Sequence, residues 1–101
     1  MNKRLELHEV LCDILGSRNV YYQPPETVKM KYPAIVYSIN NIDNGYGDNL
    51  PYIQNYAYMV ILIDKNPDSE FIDKLANYPK CRFIRNYQSE NLNHNVFLLY
   101  F

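Results

Sequence analysis

The chain has 101 residues, with ten basic and eleven acidic side chains and a formal net charge of -1. That length makes one domain with a thin core, and the charge lacks the basic excess by which free-standing nucleic-acid binders displace phosphate counterions. Two cysteines exclude a disulfide framework, 48% hydrophobic residues with 21% charged excludes a disordered chain, and no apolar run approaches the roughly 20 residues that span a bilayer.

The opening "MNKRLELHEV" interrupts any signal-peptide core with acids and a histidine, so a cytosolic site of synthesis is expected. Residues 3–15 read as a helix, because Leu7, Val10, Leu11, Ile14 and Leu15 recur at three- and four-residue spacing. Cys12 lies within that pattern and is expected as a buried, reduced thiol. Gly16 follows at once and suits the left-handed stop at a helix C-terminus. "NVYYQ", 19–23, is a short strand candidate ended by Pro24-Pro25, which cannot feed a hydrogen-bonded ladder.

"AIVYSI", 34–39, reads as a strand that is apolar on both faces, and "NYAYMVILID", 55–64, as a longer one. Between them, residues 40–54 are expected to form a protruding arm, since turn signals at Asn44-Gly45, Gly47 and Pro51 keep the segment off the main sheet. Ile42, Tyr46, Leu50, Tyr52 and Ile53 make that arm too apolar for simple disorder. They are the candidate oligomer contacts, with Tyr46 and Tyr52 as anchors because aromatic residues dominate interface energetics.

A second helix is expected after Asn66 as cap and Pro67 at its first position, with Asp68 and Glu70 at the positive end of its dipole. Phe71, Ile72, Leu75 and Ala76 form its buried stripe, and Tyr78-Pro79 stops it. "KCRFIRNY", 80–87, alternates as a strand with Cys81, Phe83, Arg85 and Tyr87 on one face. The polar stretch from Gln88 to Asn95 turns the chain, and the apolar close at 96–101 is the last strand. The fold class is therefore α+β: a mostly antiparallel sheet with two helices packed on one face of a single domain, 1–101. Ile35, Tyr37, Val60, Leu62, Phe83 and Leu98 are the expected core. One face of the last strand lies against the helices, and the other still needs a cover, which points to a partner.

Little in the chain looks catalytic. His8 and His94 have no companion at metal-ligand spacing. Asp43, Asp48 and Asp64 would be needed for a metal nuclease, but the first two fall in a turn-rich segment and Asp64 closes a strand. "NGYGDN" is followed by neither Gly-Lys-Ser/Thr nor a helix, so it is no phosphate loop. No catalytic, cofactor-binding or metal site is expected. The cations sort to Lys3 and Arg4, to Lys29 and Lys31, and to Lys80, Arg82 and Arg85 on the fourth strand.

Three strings resemble a known group: "VYYQPPETVKMKYPAIVY" at 20–37, "YMVILIDKNPDS" at 58–69 and "NLNHNVFLLYF" at 91–101. They are similar to short tail-module proteins of tailed phages and prophages, the tail-completion or tail-terminator proteins, sometimes called minor structural proteins. The patterns QPPxxxxMKYP and NLNHxVFxLYF carry the resemblance, which spans about Leu15 to Phe101; the group would have Asp where this chain has Asn95. It implies an α+β protomer in a hexameric ring at the head-proximal end of the tail tube. The partners implied are the tail-tube protein and the head–tail connector or neck proteins, with viral DNA passing through the lumen without sequence-specific binding and no membrane involved. The place implied is the virion, assembled in the host cytoplasm. The resemblance brings no catalytic residue and no cofactor. A head-closure or connector protein of the neck, and a small non-catalytic regulatory or ligand-binding α+β domain, remain as alternatives.

Overall fold

The computed structural model describes residues 3–24, 29–44 and 54–101. Helix α1 (Lys3–Leu15) leads to strands β1 (Val20–Tyr22), β2 (Ala34–Asn44) and β3 (Gln54–Asp64), then helix α2 (Glu70–Ala76) and strands β4 (Cys81–Ser89) and β5 (Leu92–Tyr100). The five strands form one sheet in the order β1-β2-β3-β5-β4, with β1 parallel to β2 and every other pair antiparallel. The expected α+β architecture is present.

Strand register assigns the faces. On the helix side, Tyr22, Tyr37, Val60, Phe97 and Phe83 stand in one cross-strand row, and Val20, Ile35 and Leu62 begin the next. Helix α1 covers these rows with Leu7, Leu11, Cys12 and Leu15, and α2 adds Leu75, giving one continuous core. The apolar stripe of α1 meets the sheet as its spacing predicts. Gly16 ends the helix at φ +74°, its N–H bonded to the Cys12 carbonyl at 2.8 Å. A residue with a Cβ is strained in that left-handed conformation.

Four expectations are corrected. Asn66 does not cap α2. Its N–H donates to Asp64 Oδ1 at 3.1 Å, and its own Oδ1 accepts the Asp68 N–H at 3.0 Å. These two side-chain-closed turns hold the chain out of helix until Ser69, which caps α2 through its hydroxyl. Within α2 Leu75 is buried and Phe71 and Ile72 are half-buried, but Ala76 faces solvent.

The second correction concerns the core. Ile35, Tyr37, Val60 and Leu62 are buried on the helix side as expected, whereas Leu98 pairs with Met59 and so stands on the opposite face. Phe83 faces the helix side and meets the Phe97 ring edge-on at 5.4 Å, yet it stays 45% exposed because β4 is an outer strand.

Third, the segment 88–95 is not a broad turn. Strand β4 runs to Ser89, β5 starts at Leu92, and only Glu90 and Asn91 turn the chain, both at positive φ. Polar residues sit in these strands because they bond to each other across the ladder. Asn86 Nδ2 donates to Asn95 Oδ1 at 2.7 Å and Gln88 Nε2 to Asn93 Oδ1 at 3.1 Å.

Fourth, residues 41–44 do not leave the sheet. They pair with 54–57 as the continuation of the β2–β3 ladder, past an irregularity between Ile39 and Asn41. Of the candidate contacts, Ile42 lies in β2 opposite Tyr56, and Tyr46, Leu50, Tyr52 and Ile53 lie outside the described residues.

Candidate functional site

Both helices lie on one face of the sheet, and the register shows what the other face carries. One row runs Tyr21, Val36, Ile61, Val96 and Arg85, strand by strand across the sheet. A second runs Ser38, Met59, Leu98 and Arg82; a third runs Ala34, Ile63, His94 and Tyr87. Tyr100 and Ala57 complete a fourth. The middle of this face is aliphatic, and its β4 side is cationic and aromatic. No described helix packs on it. On this face Ala34, Ala57, Ile63 and Val96 are buried, and Val36, Met59, Ile61 and Leu98 are half-buried.

The β4 border has its own geometry. Phe83 (45%), Ile84 (41%), Tyr87 (39%) and Tyr100 (40%) are large hydrophobic residues left exposed. The His94 ring lies flat on Tyr87 with centroids 4.7 Å apart and planes 10° apart, and the Arg85 guanidinium sits 5.6 Å from the Tyr87 ring. A register shift between Phe83 and Arg85 makes this stack. It puts Arg85 and Tyr87 on the open face while Cys81 and Phe83 remain on the helix side, so the simple alternation expected from 81 to 87 is broken.

The other sequence candidates lie elsewhere in the fold. His8 Nδ1 lies 2.7 Å from Tyr37 Oη, and the Arg4 guanidinium covers the Tyr22 ring at 4.5 Å. Burial, followed by the nearby Arg18, lowers the His8 pKa and keeps its imidazole neutral, so Nδ1 can accept the Tyr37 O–H. Tyr37 in turn packs against Tyr22 at 4.9 Å and Tyr58 at 6.1 Å, which makes an aromatic cluster at the start of α1. Asp64 is nearly buried and spends its carboxylate on the Asn66 N–H. Asp43 is a β2 residue opposite Asn55, and Asp48 lies outside the described residues. His8 thus lies in α1, His94 in β5, Asp43 in β2 and Asp64 at the end of β3. Among the described residues no group of three or more His, Cys, Asp or Glu side chains is placed to hold a metal.

Neither thiol is activated. Burial raises the Cys12 pKa and pushes Cys81 up to about 11, which keeps both protonated near neutrality. Open clefts among the described residues include one of about 300 Å³ between Lys65 and the Glu90–Asn91 turn and one of about 290 Å³ between Glu6, Tyr78, Lys80 and Phe101. Ser89 lines the first cleft beside Lys65 and Glu90. No described helix is long and apolar enough to cross a membrane.

The cationic and aromatic border was missed by strand alternation alone. The signal available was "FIR", where an apolar Ile84 between Phe83 and Arg85 spoils a period of two. Compared with known proteins, the chain matches no family model, no curated protein and no solved structure.

Proposed function

We propose that the protein is a non-enzymatic structural component of a tailed-phage virion, a tail terminator or tail-completion protein that assembles as a ring on the head-proximal end of the tail tube and joins it to the head connector. The observation that carries the reading is the apolar sheet face on which no described helix packs, with Val36, Met59, Ile61 and Leu98 half-buried at its centre. A protomer of 12.0 kDa gains nothing from such a surface in isolation, and a component that docks onto others requires one. The resemblance of residues 20–37, 58–69 and 91–101 to tail-completion proteins supplies the class of assembly. The near-zero net charge agrees with a lumen that lets DNA slide. The work done is assembly: the ring stops tube growth on one side and receives the connector on the other.

The test pairs light scattering behind size exclusion with binding to purified tube ends. The expected species has about six times the protomer mass, alone or on the tube. Ile61→Asp, at the centre of the open face, should leave the fold intact and abolish tube or connector binding. A chain that stays at 12.0 kDa and ignores tube ends would overturn the proposal.

A further inference from the structure

The two borders of the sheet differ in a way that points to how copies of the chain meet. Strand β4 is nine residues long and, among the described strands, has a neighbour on one side only. The Tyr100 N–H donates to the Lys80 carbonyl at 3.0 Å, while the Cys81 N–H turns away from β5 to the Tyr78 carbonyl at 3.1 Å. Antiparallel alternation then directs the main-chain N–H of Phe83, and past the register shift those of Asn86 and Gln88, outward at the free edge. At the opposite border β1 pairs only with residues 35–37 of β2, so β2 is an unpaired edge among the described strands from Ser38 to Asn44.

Charge separates these edges. Residues 80–89 contain Lys80, Arg82 and Arg85 and no acid, whereas 38–44 contain Asp43 and no base. Two β4 edges facing each other would set arginines against arginines, so β4 is protected from its own copy but not from β2 of a neighbour. Chain direction agrees. Across the antiparallel steps β2-β3-β5-β4, β4 runs opposite to β2. Continuing the sheet from one copy to the next in the same orientation therefore forms a regular antiparallel pair and keeps every helix layer on the same side.

We infer that the chain self-associates head to tail by main-chain pairing of the β4 edge of one copy with the Ser38–Asn44 edge of β2 in the next. The occupant of each edge is a second copy of this chain. The contact is heterologous, so it closes into a ring when the rotation per copy divides a circle. It rests on the reading above that the protein works as a ring, and it leaves the open apolar face running around that ring for the tube or connector.

The experiment reverses the charges. Arg82→Glu with Arg85→Glu, on exposed side chains, keeps the circular dichroism spectrum and weakens self-association about tenfold or more. Asp43→Lys does the same. Mixing the two variants, or combining all three substitutions in one chain, restores assembly. On assembly of the unaltered chain, hydrogen exchange at the Phe83 and Asn86 amides slows. Rings that survive both single reversals, or unchanged exchange at those amides within a ring, overturn the edge contact and leave the proposed function standing. A chain that is monomeric both free and in the presence of tube ends overturns both.

Discussion

Asn93 and Asn95 provide a controlled comparison of what a buried amide contributes. They lie two residues apart in β5, both on the helix side, and are 5% and 2% exposed. Asn93 is satisfied at both ends: its Oδ1 accepts from Gln88 at 3.1 Å and its Nδ2 donates to the Lys65 carbonyl at 3.4 Å. Asn95 Oδ1 accepts from Asn86 at 2.7 Å, but its buried Nδ2 has no acceptor among the described residues. Asn93→Ala removes two hydrogen bonds and strips the Lys65 carbonyl of its partner, which should cost about 2 kcal/mol. Asn95→Ala removes one hydrogen bond worth about 1 kcal/mol and relieves an unmet donor worth about 1–3 kcal/mol, while the exposed Asn86 turns to water. The smaller residue also leaves space, at about 1 kcal/mol, so the net change should lie within about 1 kcal/mol of zero. Urea unfolding followed by circular dichroism measures both variants at constant m. An Asn95→Ala cost equal to or greater than that of Asn93→Ala would refute the reasoning, because it would mean that the unmet donor is not a burden on the fold.

Three further outcomes follow from local geometry. Since the folded pKa of His8 is depressed, the unfolded chain binds more protons below its ordinary value, so stability should be complete above about pH 6.5 and fall as pH drops toward the folded pKa. Thermal melts between pH 7.5 and 5 should show that slope, and His8→Gln should flatten it. Gly16→Ala should cost about 1–2 kcal/mol through the left-handed backbone alone, since a Cβ there meets no atom within 4 Å; a neutral result in chemical unfolding would contradict the strain argument. Replacing Glu90-Asn91 by Asn-Gly should stabilise the β4–β5 turn by about 0.5–1 kcal/mol, because both positions have φ near that of a type I′ turn, and a fall in melting temperature would argue against that geometry.

Local pattern in the sequence was enough to place α1, its glycine stop, the short β1, the paired strands around 34–39 and 55–64, and the α+β class. Each of these depends on contacts between neighbours in the chain or on a period of 3.6 or 2, which a sequence displays directly. The face assignment of β4 and β5 was not legible that way. Val96 to Phe101 are apolar on both sides, so periodicity could not say which of Phe97 and Leu98 meets the helices; pairing with Val60 and Met59 decided it. The amides of Asn86, Gln88, Asn93 and Asn95 read as a loop in sequence because polarity usually means solvent, and became strand only because each found a partner across the ladder. Which residues share the face without a described helix, and which described strands border the sheet, are likewise tertiary facts. Strand order determines which backbone groups remain unpaired, and order in a sheet is set by long-range pairing between residues far apart in the chain, which no local pattern encodes.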